Sequence, residues 1–382
     1  MAVDWVRIHT SRSVSLLTPP LALCSLFYGL GLRVVEARQR KRDRRSLPGF
    51  VVSIGNLTVG GAGKTPAVAA LAGWAMGKGY RVAVLSRGYG SRQGRGVRMI
   101  SDGSRVMSGL ADSGDEPLML AGQLTGVPVF VCRDRYRAGR AAHMETGADF
   151  FVLDDGFQHR SLKRDLDIVL LDACEPVGNG HLLPWGPLRE SVEALHRAHA
   201  VVMTRVPPEG EARGPGETIM SRFPGIPCFR STHVPSGVFL SGGGGIRPPS
   251  VLKGRRVSAF CGIAKPDAFR GTLAGLGAEV AVFERFRDHH PFTREEVDRL
   301  VRRHRAGGAD FLLTTEKDWM RAGPFLEGVE GAGFVRVEFR FLDQADAFFD
   351  MVRERAAEAG VFGKARNPVR VSGALEDTGA GT

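Results

Sequence analysis

Apolar and polar positions follow one repeating order along most of the chain. A short β-branched or aromatic run leads into a turn marked by glycine or proline, and a longer stretch with helical spacing follows. The first such unit begins after Pro48. Phe50-Val51-Val52-Ser53-Ile54 has the pattern of a buried strand and ends in a glycine loop, and Pro66 to Met76 predicts a helix with a first-turn proline. Further strands are predicted at Val82–Leu85, Val127–Cys132, Phe150–Leu153, Ile168–Leu171 and Val201–Thr204, with helices near 116–124, 135–146 and 188–199. Strands alternating with helices predict an α/β fold, a mostly parallel sheet covered on both faces. Ligands of such sheets bind beyond the carboxyl ends of the strands.

The texture changes over 206–255, where Pro207-Pro208, Gly214-Pro215-Gly216, the glycines from Ser241 to Gly245 and Pro248-Pro249 predict loops and a connection. A second, smaller α/β unit follows: strands at Val257–Cys261, Val280–Phe283 and Phe311–Thr314, helices at Pro266–Leu276 and Arg294–Arg305. The expected organisation is an N-terminal segment 1–47, a first domain 48–235, a linker 236–255, a lid domain 256–360 and a disordered tail 361–382. No internal repeat is visible.

The N-terminal segment changes that picture. Ser13 to Leu32 carries no charge, close to the ~20 residues a bilayer span needs. Thr18-Pro19-Pro20 interrupts it, and the apolar run after the prolines suits an interfacial or re-entrant helix. No small-residue cleavage signal closes it, although Arg7 and Arg12 precede it. The basic run from Arg38 to Arg45 has the character drawn to anionic cytoplasmic lipid. Residues 1–47 therefore read as a membrane-docking element, the alternative being a helix that covers the domain core.

Composition adds a charge argument. Among 382 residues, 52 Lys+Arg stand against 41 Asp+Glu, a formal charge of +11, which favours an anionic partner. Basic clusters interleaved with aromatics are not evident, so nucleic acid is the weakest candidate. The five cysteines are dispersed and form no C-x-x-C pair, so a disulfide framework or zinc site is not expected.

The most informative stretch is Gly55-Asn56-Leu57-Thr58-Val59-Gly60-Gly61-Ala62-Gly63-Lys64-Thr65-Pro66. Glycines let the backbone fold into a nest of N–H groups, and the following helix adds its positive end. The phosphate-binding segment is Thr58 to Thr65: Thr58, Val59, Gly60, Gly61, Ala62, Gly63, Lys64 and Thr65. Lys64 reaches the β- and γ-phosphates in this reading, and Thr65 ligates Mg²⁺. Thr58 stands where the strict pattern has glycine. Phe150 to Asp155 is a strand pattern ending in two carboxylates, Asp154 and Asp155, which suit a hard cation. On residues alone this is a P-loop phosphotransferase or an NTP-driven switch acting on a membrane or metal-insertion partner. The switch reading lacks support: no extra lysine lies between Ser53 and Gly63, and no Asn-Lys-x-Asp occurs.

Other segments carry a resemblance. The phosphate loop, Ser86-Arg87-Gly88-Tyr89-Gly90, Gly114-Asp115-Glu116-Pro117 and Asp154-Asp155-Gly156-Phe157-Gln158-His159 are similar to signatures of the tetraacyldisaccharide 4′-kinase family. So are Gly178-Asn179-Gly180, Leu183-Pro184-x-Gly186-Pro187-Leu188-Arg189-Glu190, Gly262-Ile263-x-x-Pro266, Phe286-x-Asp288-His289-His290 and Thr314-Thr315-Glu316-Lys317-Asp318. The resemblance runs from about residue 14 to 345. Ala62 departs from a common threonine and Trp185 from a small residue.

The resemblance implies a P-loop kinase at the cytoplasmic face of the bacterial inner membrane. It would use ATP and Mg²⁺ to phosphorylate the 4′-hydroxyl of a tetraacylated glucosamine disaccharide 1-phosphate in lipid A synthesis. Its partners would be that lipid and an anionic membrane surface; no obligate protein partner is evident. It also implies an Asp–His catalytic pair at Asp115 and His289, beside Lys64. Residue chemistry alone explains Asp115 equally well as a helix-start residue, and His289 and His290 stand side by side. Tyr89, Arg135, Gln158, His159, Arg189 and Glu190 are the expected substrate contacts, since they lie past strand ends or carry groups that pair with phosphate and hydroxyl.

Overall fold

The computed structural model describes residues 8–9, 16–40, 43–89, 91, 96–206, 214–243 and 245–363. Gly90, Pro207-Pro208, Lys41-Arg42 of the basic run and the expected tail beyond 363 lie outside the described residues, whereas Val361, expected to begin that disordered tail, is buried in the first-lobe core.

In the first lobe, β1 (Phe50–Asn56) is buried along its whole length. It lies between β5 (Phe150–Asp154) and β6 (Leu166–Asp172), both parallel to it. Outward on one side run β2 (Val82–Ser86), β4 (Val129–Val131) and antiparallel β3 (Arg98–Ser101). On the other run β7 (Ala200–Thr204) and β8 (Cys228–Leu240). Continuous apolar runs are what a strand covered on both faces requires. Following α1 (Thr18–Arg40), the helices are α2 (Lys64–Gly77), the single-turn α3 (Leu110–Ser113), α4 (Asp115–Gln123) and α5 (Arg135–Thr146). One face buries Val52, Leu71 and Val152; the other buries Val51, Leu85, Ala138 and Phe151.

The second lobe is built on β10 (Arg256–Cys261), β11 (Glu279–Arg285), β12 (Phe311–Thr315) and β13 (Ala332–Phe341). The six-residue α6 (Pro215–Met220) packs on β7 of the first lobe and the two-residue β9 (Ile246–Arg247) pairs with β8; the helices of the second lobe are α7 (Pro266–Gly275), α8 (Arg294–Ala306), α9 (Glu316–Leu326) and α10 (Ala345–Glu358). Thr293 caps α8 with Glu296 in a reciprocal box.

Three expectations are corrected. The segment 236–255 is not simply a linker, because β8 crosses the expected 235/236 boundary. It pairs with β7 through 228–230 and antiparallel with β13 through 231–240, making one continuous sheet. Pro235 is accommodated where the register with β13 shifts, a place where a strand tolerates a missing donor. The lid is not self-contained either. Helix α10 returns to the first lobe, burying Phe348, Val352 and Ala356 in its core and stacking Phe349 on Trp74 at 4.7 Å. Finally, the helix expected near 188–199 is a bridge at Leu188 and a short 3₁₀ turn, Val192–Arg197. There the Arg189 N–H donates to Leu57 O at 2.7 Å instead of to a helical carbonyl.

Helix α1 runs unbroken, with Pro19 and Pro20 in its first turn, where no N–H partner is needed. Its polar side faces the protein: Ser25 Oγ donates to Leu182 O at 2.9 Å, Tyr28 OH to Arg189 O at 3.0 Å, and Glu36 accepts from Arg160 at 2.7 Å. Leu23, Leu26, Phe27, Leu30 and Val34 form an exposed apolar stripe. By length and composition, residues 18–39 could cross a bilayer.

Candidate active site

Strand β1 delivers the chain into the loop Leu57–Gly63, and α2 starts at Lys64. Gly60 and Gly63 take φ of 103° and 79°, the left-handed region that excludes most side chains. The loop is held from outside: the Val59 N–H donates to Pro187 O at 2.8 Å, and Ala62 O accepts from Thr204 Oγ1 at 3.1 Å. Gly61 O accepts from Arg205. No side chain caps α2 and its first turn holds no acid, so the helix start is left for an anion. Lys64 is buried, its Nζ 3.1 Å from Asn56 Oδ1 and 3.6 Å from Asp155 Oδ1.

The paired carboxylates at the end of β5 differ in state. Asp154 Oδ2 accepts from Ser86 Oγ at 2.9 Å, while its Oδ1 is buried without a hydrogen-bond partner. Burial, then the charges of Glu116 and Asp155, push the Asp154 carboxyl up to about 7. Burial also acts on Asp155, but Lys64 and Arg189 outweigh it and hold the group below the usual carboxylate range. Arg189 Nη1 lies 2.8 and 3.0 Å from the two Asp155 oxygens. An orphaned carboxylate oxygen on a lobe that also presents Asp155 and Thr65 fits a hard divalent cation, which keeps several waters and needs few protein ligands.

Opposite stands Asp115, the first residue of α4. Its Oδ1 accepts from the Glu116 N–H at 3.0 Å, and its Oδ2 lies 3.0 Å from His289 Nδ1. Gly114 has φ 82°, and a Cβ there would lie 2.4 Å from Tyr89 O, so glycine lets the two segments touch. His289 itself holds φ 56°, with its N–H donating to Gly262 O at 3.1 Å. A non-glycine residue fixed there is the kind of local strain that accumulates at functional sites. Burial raises the Asp115 carboxyl, but the His289 hydrogen bond and the Lys317 and Arg321 charges reverse this and leave it below its ordinary value. His290 turns elsewhere, 2.8 Å from Glu296.

All the expected substrate contacts line the same cleft of about 1170 Å³, which also reaches Tyr28, Leu32 and Val35 of α1. Tyr89 is 69% exposed, its ring edge-on to His289 at 5.7 Å. Gln158 Nε2 donates to Asn56 O at 3.0 Å. His159 is lowered to about 4 by burial and the Arg135 charge, so it is neutral at physiological pH. Arg135 is 2% exposed, and burial lowers it to about 10. Glu190 accepts from Arg160 at 2.5 Å and Arg197 at 2.8 Å, which makes it first a brace between two cations. Sequence reasoning left Asn56, Glu116, Lys265 and Lys317 without roles, although each belongs to or adjoins a quoted motif. Arg205, just after β7, and His233, from the texture-changed region, carried no local signal.

Comparison with known proteins identifies the family. The family model described as Tetraacyldisaccharide-1-P 4′-kinase (LpxK) matches residues 16–357. A tetraacyldisaccharide 4′-kinase of Geobacter metallireducens is 44% identical over 317 residues, spanning 82% of this chain and 89% of that protein. One from Pelobacter propionicus is 41% identical over 335 residues, 87% and 90% of the two chains. Among solved structures, an LpxK of Aquifex aeolicus crystallised in complex with ATP is 31% identical with a TM-score of 0.71, covering 89% of this chain and 99% of that one. A phosphate loop and a carboxylate pair in one cleft, with an Asp–His contact at its wall, thus occur on a chain that belongs to the tetraacyldisaccharide-1-P 4′-kinase family.

Proposed function

We infer that this protein transfers the γ-phosphoryl group of ATP to the 4′-hydroxyl of a tetraacyl glucosamine disaccharide 1-phosphate, a step of lipid A biosynthesis. The observation that carries the reading is Asp115 Oδ2 at 3.0 Å from His289 Nδ1, where His289 and Glu116 line the cleft that holds the phosphate loop and Asp115 lies buried directly behind them. Phosphoryl transfer depends on alignment and on neutralising oxygen charge. Lys64 and the N–H groups at the start of α2 receive the phosphates. Thr65, Asp154 and Asp155 would hold Mg²⁺, which when bound offsets charge on the β- and γ-oxygens. Asp115, ionised and oriented by His289, takes the proton of the 4′-hydroxyl as the new O–P bond forms. The bond between the γ-phosphorus and its bridging oxygen breaks, and its electrons leave on ADP. Tyr89, Arg135, Gln158, His159, Arg189 and Glu190 border the room left for the sugar.

The lipid reaches the cleft along α1. That helix rests by its apolar stripe on the cytoplasmic face of the inner membrane, with the exposed Arg38 and Arg44 toward anionic headgroups. Two experiments test the reading. Full-length protein given γ-labelled ATP, Mg²⁺ and detergent-dispersed disaccharide lipid labels the lipid; label appearing only as free phosphate, as a switch protein would give, overturns the kinase assignment. Leu26→Glu with Phe27→Glu releases the protein from anionic vesicles in flotation; unchanged binding removes α1 as the docking element.

A further inference from the structure

The partner of His289 on its far side has no role in the reaction described above. Lys317, the second residue of α9, places its Nζ 3.0 Å from His289 Nε2 and 3.1 Å from Glu116 Oε1. A side-chain ammonium has three N–H donors and accepts nothing. Burial works against the Lys317 charge, but Glu116, Asp115 and Asp288 more than compensate and keep it protonated. The contact at Nε2 therefore requires the imidazole lone pair there, and the single ring proton sits on Nδ1, facing Asp115.

We propose that Lys317 is a positioning residue that locks His289 in its neutral Nδ1–H tautomer, so that His289 donates to Asp115 and does not receive its proton. This rests on the reading of Asp115 as the base. The alternative tautomer would place a lone pair against an ionised carboxylate and an N–H against an ammonium, two repulsive contacts at once. In the locked form Asp115 Oδ2 is held by the imidazole, and the hydroxyl proton ends on the Asp115 carboxyl. No bond within the imidazole changes during transfer.

The arrangement crosses the lobes. Asp115 and Glu116 begin α4 of the first lobe, whereas His289, Asp288, Lys317 and Arg321 come from the second. With Tyr89 at the ring edge, these are the charged and titratable groups around the Asp115–His289 pair among the described residues. Lys317 thereby makes the base competent only when the lobes meet.

The test reads the tautomer directly. Long-range ¹⁵N–¹H correlation of histidine-labelled full-length protein, with His289 assigned through His289→Gln, shows a protonated Nδ1 and an unprotonated Nε2. A proton on Nε2 in the unaltered protein overturns the proposal. Lys317→Met removes donor and charge while keeping length. It shifts His289 toward the Nε2–H form and lowers kcat roughly 10- to 100-fold, on the scale of losing part of a base's contribution, with little change in KM for ATP.

Removing the cation makes protonation of Asp115 easier, so the acid limb of the kcat profile moves up by about one pH unit. Lys317→Arg, which keeps donor and charge, retains the tautomer and recovers most of the rate. If Lys317→Met is folded by thermal melt yet leaves both tautomer and acid limb unchanged, Lys317 is merely structural and the proposal fails. Full activity of Asp115→Asn instead overturns the underlying base assignment, while the tautomer signal still decides the role of Lys317.

Discussion

Lys64 reaches Asn56 at the end of β1 and Asp155 just after β5, so its surroundings are assembled within the first lobe. Asp115 meets His289 across 174 positions of chain, and the contact exists only because the second lobe lies against the first. Lys64 and His289 line one cleft. On the proposed mechanism the phosphate cradle is made within the first lobe, whereas the base is oriented from the second. ATP binding and phosphoryl transfer would thereby have separate structural requirements.

The largest effect that could break this contrast is at the base. Asp115→Asn lowers kcat about 10²- to 10⁴-fold, the range for removing a general base, and leaves ATP affinity intact in a nucleotide-binding titration. Lys64→Ala lowers kcat about 10²- to 10³-fold, as losing a charge-stabilising group does, and weakens ATP binding as well. Equal losses of ATP affinity in the two variants would merge the regions into one.

A smaller effect sharpens the local side. Gly63→Ala forces a side chain to φ 79°, and its Cβ would lie 2.3 Å from His233 Cε1 on β8. The backbone cost alone is about 1–3 kcal/mol, so both stability and ATP affinity fall. Gly61→Ala meets only the end of Arg205 at 3.7 Å and its φ is not positive, so it stays near wild type. Equal thermal melts for the two variants would mean that the loop is not held as described.

The same contrast governs what the sequence disclosed. Strand, glycine turn and helix at 50–77 were legible because propensity, period and turn chemistry all point one way over a short span. Strand β8 was hidden by Pro235 and Gly237, which break strand periodicity and are tolerated where the register shifts. The return of α10 was hidden because Phe348 and Phe349 show an apolar face but not which lobe it covers. Asp115 and His289 were singled out through family resemblance, since a carboxylate at a helix start and a histidine doublet have ordinary explanations. Lys317 stood in a quoted motif, yet only the fold reveals that its ammonium ends on an imidazole nitrogen.

The smallest effect concerns what keeps the lobes together. Lys265, just before α7 in the second lobe, reaches Asp172 at 2.9 Å and Glu175 at 2.7 Å on the first, and Asp172 also accepts from Arg205 beside the phosphate loop. Burial raises the Asp172 carboxyl, but Arg205 and Lys265 outweigh it and hold it below its ordinary value. Lys265 is about one-third exposed, so the pair contributes at most about 1 kcal/mol, or roughly five-fold in a closure equilibrium. A depressed folded-state value means that the contribution is complete above the unfolded value near ~3.9 and is lost as pH falls through the folded one. Lys265→Ala therefore lowers kcat/KM for the lipid by up to about five-fold, leaves ATP affinity almost unchanged, and lowers the melting temperature at neutral pH. The difference in melting temperature from wild type shrinks in acid as Asp172 takes up its proton. A difference that stays constant from pH 7 down to about 3 would mean that Lys265 supports the lobes by packing its alkyl stem, and that the charge on Asp172 does not hold them closed.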